Sequence, residues 1–236
     1  MSAEYGLKPL LAGRNEAALQ QLSASLGLDY RAFSLEDTQA LDNALREVPI
    51  VLHAAGPFRH TAETMIRACI RMKVHYTDIT GEIMVFEKAK SMDTQAREAG
   101  VMVMSGVGFD VVPTDCLALY LKQQLPSASS LQLAFTGTGS RTSRGTATTM
   151  AEGAGSPGAR RLGGKIIPVP LGQEGMWVDF GPKKRFVMSI PWGDVSTAYT
   201  TTGIPDIVTY TAVSPKTFNR LKYQHLFNWL LRTSFV

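Results

Sequence analysis

The chain has 236 residues, of which 44% are hydrophobic and 19% are charged, and this composition excludes a disordered protein. It carries 24 basic and 20 acidic side chains, and because the basic ones are not interleaved with aromatic residues, we exclude nucleic acid as a partner. No apolar run is long enough to span a bilayer and no signal-peptide pattern opens the sequence, so the cytoplasm is the expected location.

Short apolar strands alternate with helices over residues 1–126. The predicted strands are Leu10–Ala12, Tyr30–Leu35, Ile50–Ala55, Val74–Ile79 and Val101–Ser105, and the predicted helices are Glu16–Leu26, Asp37–Val48, one around residues 65–73, Ile83–Gly100 and Pro113–Leu125. This alternation predicts an α/β domain with a doubly wound parallel sheet.

The pattern changes after Pro126, where Ser, Thr and Gly become frequent. The predicted strands are Leu131–Thr136, Ile166–Pro170, Trp177–Phe180, Arg185–Ile190, Ala198–Thr202 and Ile207–Ala212, with one short helix at Thr146–Glu152. Because long helices are missing between these strands, residues 127–236 are predicted to form a second, smaller α+β domain with a mainly antiparallel sheet.

The tail Lys216–Val236 is predicted to be a basic, aromatic-rich amphipathic helix. We expect it to pack on its own protein, and weak contact with a membrane surface is the alternative.

Three acidic residues, Asp78, Glu82 and Asp110, fall at or just beyond the carboxyl ends of predicted strands. Ligands of open α/β sheets bind at this edge, so these carboxylates are candidates for positioning a substrate or carrying a proton. Roles in helix capping and turns are equally open.

Two glycine patterns carry less weight. Gly153–Gly158 matches G-x-G-x-x-G, but a helix-like run precedes it, so we interpret it as a flexible loop. Gly106 and Gly108 lie between a strand and a helix, yet Val111 replaces the third glycine, so the segment is not a pyrophosphate fingerprint.

Cysteine and histidine give no further site. Cys69 and Cys116 lie in apolar, helix-like stretches and are predicted to be buried thiols. The four histidines are scattered and no metal-ligand spacing is present, so no metal site is predicted.

Arg14 follows a strand that would be the second of a dinucleotide-binding fold. An arginine at that position suits the 2′-phosphate of NADP, whereas an acidic residue would suit the ribose of NAD. Taken alone, Arg14 also fits an ordinary surface arginine at a strand end.

Four segments together resemble the saccharopine dehydrogenase-like oxidoreductases, in particular the branch with trans-acting enoyl reductases. They are Leu11–Asn15, Ala55–Phe58, His75–Glu82 and Gly108–Asp115. The segment Arg144–Thr148 is similar to a Gly-Gly-Thr segment of the family's second domain, with Arg144 in place of the first glycine.

The resemblance implies an NADP-binding Rossmann domain, residues 1–126, followed by a substrate or dimerisation domain, residues 127–236. The implied reaction is hydride transfer from NADPH to an activated C=C or C=N bond of a small-molecule or lipid-like substrate, and the resemblance admits a homodimer. The implied NADP-binding residues are Arg14, Ala54, Ala55, Gly56 and Pro57. Asp78 and Glu82 would shape the substrate side, and Tyr76 and Asp110 are the candidate proton donors.

The sequence departs from this family at its start. Such proteins begin with a strand and a glycine-rich turn that holds the cofactor pyrophosphate, and Met1–Leu11 contains neither. We therefore expect a fragment truncated at both ends or a natural short form, with apolar residues exposed beside the missing strand and weak or absent NADP binding. A non-catalytic remnant or interaction module is the alternative to an enzyme.

Overall fold

A computed structural model describes residues 5–137 and 156–221. The strands are β1 (Leu11–Gly13), β2 (Tyr30–Ala32), β3 (Ile50–His53), β4 (His75–Asp78), β5 (Val103–Met104), β6 (Ser130–Phe135), β7 (Gly158–Leu162), β8 (Lys165–Val169), β9 (Gly175–Asp179), β10 (Lys184–Ile190) and β11 (Asp206–Ala212). The helices are α1 (Glu16–Leu26), α2 (Thr38–Leu45), α3 (Phe58–Met72), α4 (Ile83–Ser91), α5 (Asp93–Ala99), α6 (Val112–Gln124), α7 (Asp194–Thr202) and α8 (Pro215–Leu221).

Polar caps set the ends of the first helices. The side chain of Asn15 accepts a hydrogen bond from the Ala18 N–H and begins α1, and Asp37 does the same for α2 through Ala40. Gly27 ends α1 with φ at +64°, a left-handed conformation that glycine adopts without steric cost.

The predicted α/β fold class is confirmed, but the parallel strands lie in two sheets. One contains β1 and β2 and the other has the order β3-β4-β5. No strand ladder joins the two sheets within residues 5–137. Ile50 and Leu52 of β3 are 47% and 64% exposed, so this strand presents apolar side chains to solvent.

The second sheet region follows β5 and α6. Strands β8-β7-β11-β10-β9 are antiparallel neighbours, and β6 pairs with β11 in parallel. Helices α6 and α7 contribute to the core on one face, which contains Ala118, Leu131, Leu133, Ala198, Ile204 and Ile207. Because Ala118 of α6 belongs to this core, the helix predicted to close the first domain also packs on the second sheet.

Several predicted elements need correction. Ala198–Thr202, predicted as a strand, is the second half of helix α7. Its β-branched threonines favour a strand, but burial of one helix face against α6 and β11 outweighs that weak preference.

Two more differences concern element boundaries. The predicted helix Ile83–Gly100 is interrupted at Met92, which separates α4 from α5. Strand β7 is not among the predicted strands, since its Gly158-Ala-Arg-Arg-Leu162 sequence has no clear apolar alternation, and only Gly158 belongs to the stretch interpreted as a loop.

The two cysteines differ in their surroundings. Cys69 is buried in α3, as predicted, and burial raises the pKa of its thiol to about 12. Cys116, predicted to be buried as well, is exposed on α6. The buried face of α6 carries Ala118, and a residue two positions away on a helix points to nearly the opposite side.

Polar contacts join α4 to α7. The ammonium group of Lys90 donates to the hydroxyl oxygen of Ser196 at 2.8 Å and to its carbonyl oxygen at 3.1 Å. The Ser196 hydroxyl donates to Glu87 at 2.5 Å. Buried Arg161 of β7 donates to the Val195 carbonyl at 2.8 Å, and its guanidinium lies 4.2 Å from the Tyr199 ring centroid. The two halves of the protein therefore meet through α7.

Some predictions fall outside the described residues. These are the helix Thr146–Glu152, the Arg144–Thr148 segment and most of the Gly153–Gly158 and Lys216–Val236 stretches. No helix of the described ranges is long and apolar enough to cross a membrane.

Candidate active site at the strand ends

Three loops meet at the carboxyl ends of β3, β4 and β5. They are residues 54–57, 79–82 and 105–110, and they include the acidic candidates Glu82 and Asp110. Parallel neighbours end at the same edge of a sheet, so the register of β3, β4 and β5 brings the loops together.

A buried hydrogen-bond chain lies beneath these loops. The Tyr76 hydroxyl donates to Asp78 Oδ2 at 2.8 Å and lies 3.0 Å from His53 Nδ1. Because the tyrosine proton is directed at Asp78, we assign the second bond to a proton on His53 Nδ1. Burial raises the pKa of Tyr76, and the charge of Asp78 raises it further, so the phenol stays protonated. Burial lowers the pKa of His53, which keeps the imidazole neutral at physiological pH.

Asp78 holds two loops together. It is fully buried, and its Oδ1 accepts hydrogen bonds from the main-chain nitrogens of Thr80 at 3.0 Å and Gly106 at 2.8 Å. Its carbonyl oxygen accepts from Val107 at 2.8 Å. With these bonds and the Tyr76 bond, the Asp78 carboxylate is engaged inside the protein and not directed at a ligand.

Glu82 caps helix α3. Its two carboxylate oxygens accept hydrogen bonds from the main-chain nitrogens of Phe58 at 2.9 Å and Arg59 at 3.1 Å. The Arg59 side chain lies 3.4 Å from the same carboxylate. A carboxylate at a helix N-terminus satisfies free N–H groups and interacts favourably with the helix dipole. Glu82 thereby fixes the loop after β4 to the loop after β3.

Asp110 differs from the other acidic candidates because its side chain is exposed. No hydrogen bond or ion pair to its carboxylate is found within residues 5–137 and 156–221. Partial desolvation raises its pKa, which favours the protonated form relative to an ordinary aspartate. Its carboxylate lies over Gly81, where a Cβ atom would come within 3.0 Å of Oδ2.

The turn before α7 completes this edge of the site. Trp192 donates its indole N–H to the carbonyl oxygen of Asp110 at 2.8 Å and packs on Phe135 with ring centroids 4.9 Å apart. A Cβ atom on Gly193 would approach Val111 Cγ1 at 2.6 Å, so only glycine fits between the turn and the loop. Sequence reasoning missed Trp192, since it lies 82 residues from Asp110 and no local motif connects them.

Two further carboxylates lie on the helices next to this turn, Asp115 on α6 and Asp194 on α7. Thr114 donates its hydroxyl to Asp194 Oδ1 at 2.5 Å, and Thr201 donates to Asp115 Oδ2 at 2.6 Å. The remaining oxygens, Asp194 Oδ2 and Asp115 Oδ1, are buried without a hydrogen-bond partner. Burial raises the pKa of Asp194 to about 7, and the Asp115 charge contributes to the shift. Sequence reasoning also missed this pair.

The predicted cofactor residues are accessible. Arg14 is exposed after β1, and no partner of its guanidinium is found in the part of the chain that the structure describes. Ala54, Ala55 and Gly56 are exposed after β3, and their small side chains leave the backbone open to close approach. Pro57 is partly buried and precedes α3 through a cis Gly56–Pro57 bond.

Residues 2–104 match the family model described as the saccharopine dehydrogenase NADP binding domain. The match covers less than half of the chain, and over these residues the chain is similar to that family. The predicted resemblance is thus confirmed, and NADP is the cofactor that the saccharopine dehydrogenase-type domain binds.

Three proteins that are similar to this chain illustrate the range of names among its relatives. A "lipid droplet localized protein" of Caenorhabditis elegans is 30% identical over 128 residues, which is 50% of this chain and 30% of that protein. A human "saccharopine dehydrogenase-like oxidoreductase" is 28% identical over 127 residues, 49% of this chain and 30% of the relative. A "trans-acting enoyl reductase" of Mycobacterium leprae is 29% identical over 111 residues, which is 44% of this chain and 27% of that protein. The matches therefore span less than a third of each relative.

A comparison of folds covers the second sheet as well, which lies outside the family match. The apo structure of saccharopine dehydrogenase (L-Glu forming) from Saccharomyces cerevisiae matches 97% of this chain and 54% of its own, with a TM-score of 0.68 at 14% identity. At this identity the likeness concerns the fold alone.

The described residues fit parts of NADP. Arg14 supplies an unpaired guanidinium for a phosphate, and the open Ala54–Gly56 backbone supplies a surface for a ribose. A glycine-rich turn between a strand and a helix N-terminus, the usual pyrophosphate cradle, is not found in residues 5–137 or 156–221. Those same ranges hold no cluster of three metal-binding side chains.

Proposed function

We propose that this chain belongs to an NADP(H)-dependent oxidoreductase that reduces an activated C=C or C=N bond. The observation that carries the proposal is the family match over residues 2–104, together with the unpaired Arg14 guanidinium at a strand end. NADPH, when bound, supplies the hydride. The acceptor bond then needs one proton at its other atom, and the protein must hold or deliver it.

Asp110 is the proposed proton donor. Tyr76, the other candidate, has its hydroxyl proton committed to Asp78 in a buried chain, whereas the Asp110 carboxyl group is exposed and has a raised pKa. We assign Tyr76, Asp78 and Glu82 to positioning, because their polar atoms hold the loops that surround Asp110.

A lipid-like substrate is the proposed class. Phe109 beside Asp110 is 88% exposed, and Val107 in the same loop is 37% exposed, so an apolar chain has side chains to contact. The names of the worm and mycobacterial relatives, a lipid droplet localized protein and an enoyl reductase, support this choice.

Cofactor binding tests the proposal. NADPH and NADH are titrated against the protein, with fluorescence and a saturation-transfer NMR readout that detects weak complexes. We expect NADPH to bind at least tenfold more tightly than NADH, and Arg14→Asp to abolish that preference because it replaces the phosphate-binding cation with an anion. Arg46→Asp, the same charge change at an exposed helix end, is the matched control and should leave the preference intact.

A non-catalytic interaction module is the second candidate. It is favoured by the internal engagement of three of the four candidate side chains, Tyr76, Asp78 and Glu82. Absence of binding by both cofactors at millimolar concentration would support this candidate and contradict the enzyme. An NADPH preference that survives Arg14→Asp would instead contradict the role of Arg14.

A further inference from the structure

The hairpin of β9 and β10 carries an exposed aromatic side chain. Trp177 is 65% exposed and pairs across the strands with Phe186, their ring centroids being 5.6 Å apart. Phe186 in turn lies 5.1 Å from the ring of Phe218 on α8. The indole therefore packs on Phe186, which is itself packed on Phe218, while most of its surface remains exposed.

Basic residues are frequent in the segments that carry this tryptophan and Phe218. Segments 175–189 and 213–221 contain five basic residues and one acidic residue. The basic residues are Lys183, Lys184, Arg185, Lys216 and Arg220, and the acidic one is Asp179. No ion pair of these five cations is found among the residues that the structure describes. We call Trp177 and the five basic residues the hairpin surface.

An open groove lies between the hairpin and the start of α8. It has a volume of about 410 Å³ and is lined by Trp177, Arg185 and Phe186 on one side and by residues 212–215 on the other. The groove therefore combines an aromatic wall with Arg185, and the exposed Lys184 and Lys216 directly adjoin its lining residues Arg185 and Pro215 in the sequence. A phosphate-bearing headgroup fits this chemistry.

We propose that the hairpin surface docks on a membrane containing anionic phospholipid. Trp prefers the interface between water and lipid, where its ring is apolar and its N–H remains hydrated, and unpaired Lys and Arg are attracted to a negative surface. Lys and Arg also extend apolar stems along such an interface. The proposal does not depend on cofactor binding, and it places a docking surface on the edge strand β9 of the second sheet.

Vesicle co-sedimentation of the 236-residue chain tests the proposal. We expect binding to phosphatidylcholine vesicles that contain phosphatidylserine, little binding to pure phosphatidylcholine, and release by added salt because the attraction is electrostatic. The double variant Lys183→Glu with Lys184→Glu should lower the affinity at least tenfold, and Trp177→Ala should lower it several-fold.

Matched control variants distinguish binding through the hairpin surface from a general effect of net charge. Lys165 is on β8, the opposite edge strand of the same sheet, and Lys8 is exposed in the first half. The double variant Lys8→Glu with Lys165→Glu has the same change in net charge and should bind nearly as the unmodified protein does. Tyr5→Ala, which removes another exposed ring, is the control for Trp177→Ala.

Three results would overturn the proposal. They are failure to bind the anionic vesicles, equal losses in the hairpin and control variants, and equal binding to neutral vesicles. Hairpin-dependent binding to RNA or to an acidic peptide, without binding to vesicles, would assign the surface to a different partner and would equally overturn it.

Discussion

The Glu82 carboxylate lies 2.9 Å from the main-chain nitrogen of Phe58, although 24 positions separate the two residues in the sequence. This bond connects the end of β4 to the start of α3 and brings two loops of the candidate site into one unit. Sequence reasoning left substrate contact and helix capping both open for Glu82, and in the structure its carboxylate caps α3.

Replacing Glu82 tests this capping role. Glu82→Gln keeps one acceptor oxygen but removes the charge, so we expect the free energy of unfolding to fall by about 1 to 2 kcal/mol. Urea denaturation measures the change. Glu63→Gln is the control, since Glu63 forms exposed ion pairs with Arg67 and Lys88 and should cost less than about 1 kcal/mol. Equal losses in the two variants would contradict the capping role.

The buried chain below the loops gives a second prediction. Tyr76→Phe removes a hydroxyl on which His53 and Asp78 depend, leaving two buried polar groups without that partner, and should cost about 1 to 3 kcal/mol of stability. Thermal and urea unfolding measure the loss, and NADPH affinity should stay within about twofold. The same substitution at exposed Tyr120 should be neutral. A Tyr76→Phe variant as stable as the unmodified protein would show that the hydrogen bonds of Tyr76 to His53 and Asp78 do not stabilise the loops.

Asp194 predicts a dependence of stability on pH. The unfolded side chain ionises near 3.8 and the folded one at about 7, so between these values the folded state binds more protons than the unfolded state. Stability from this group therefore falls as pH rises, by at most about 1.4 kcal/mol per pH unit, and changes little above the folded pKa.

Asp194→Asn checks this sign. Asparagine keeps the acceptor for Thr114 and cannot ionise, so the variant should gain stability relative to the unmodified protein between about pH 4 and pH 8. Urea midpoints at both ends of the range measure the gain. Asp93→Asn, which changes an exposed pair with Arg97, should show little pH-dependent difference. A pH-independent difference for Asp194→Asn would rule out the titration.

The proposed proton donor is tested by Asp110→Asn. If Asp110 delivers the proton, kcat for NADPH-dependent reduction of a trans-2-enoyl thioester should fall about a hundredfold while NADPH affinity stays within about twofold. Consumption of NADPH measures the rate, and Asp29→Asn at an exposed position should have no effect. A loss of cofactor affinity equal to the loss of rate would indicate a binding role instead.

The contact between the second sheet and the loops gives a steric prediction. Gly193→Ala would place a methyl group 2.6 Å from Val111 and 2.7 Å from Phe86, so the turn must move and we expect a loss of about 1 to 3 kcal/mol. Gly13→Ala, whose Cβ would meet nothing closer than 3.9 Å, is the control. Chemical denaturation compares the two, and similar stabilities would mean that the turn has space to shift.

Sequence reasoning succeeded where several local signals agree. The Glu16–Leu26 helix has a polar cap, an apolar stripe and a terminal glycine, and its predicted bounds match the structure. The strand prediction for Ala198–Thr202 was wrong because burial of Ala198 and Thr202 on one face of helix α7 outweighs the strand preference of threonine. Sequence reasoning placed Asp78 and Glu82 at the strand ends, but their hydrogen-bond partners come from other loops. Such pairings follow from the fold and have no local signature.

The Trp192 contact gives the candidate site an intrinsic optical probe. Its indole N–H is bonded to the Asp110 carbonyl, so any shift of the loop that carries Asp110 changes the polarity around the ring and hence its emission. Once the other two tryptophans, Trp177 and Trp229, are replaced by phenylalanine, the remaining tryptophan fluorescence comes from this position. Ligands that engage the loop can then be found by a spectral change alone, before any reaction is known.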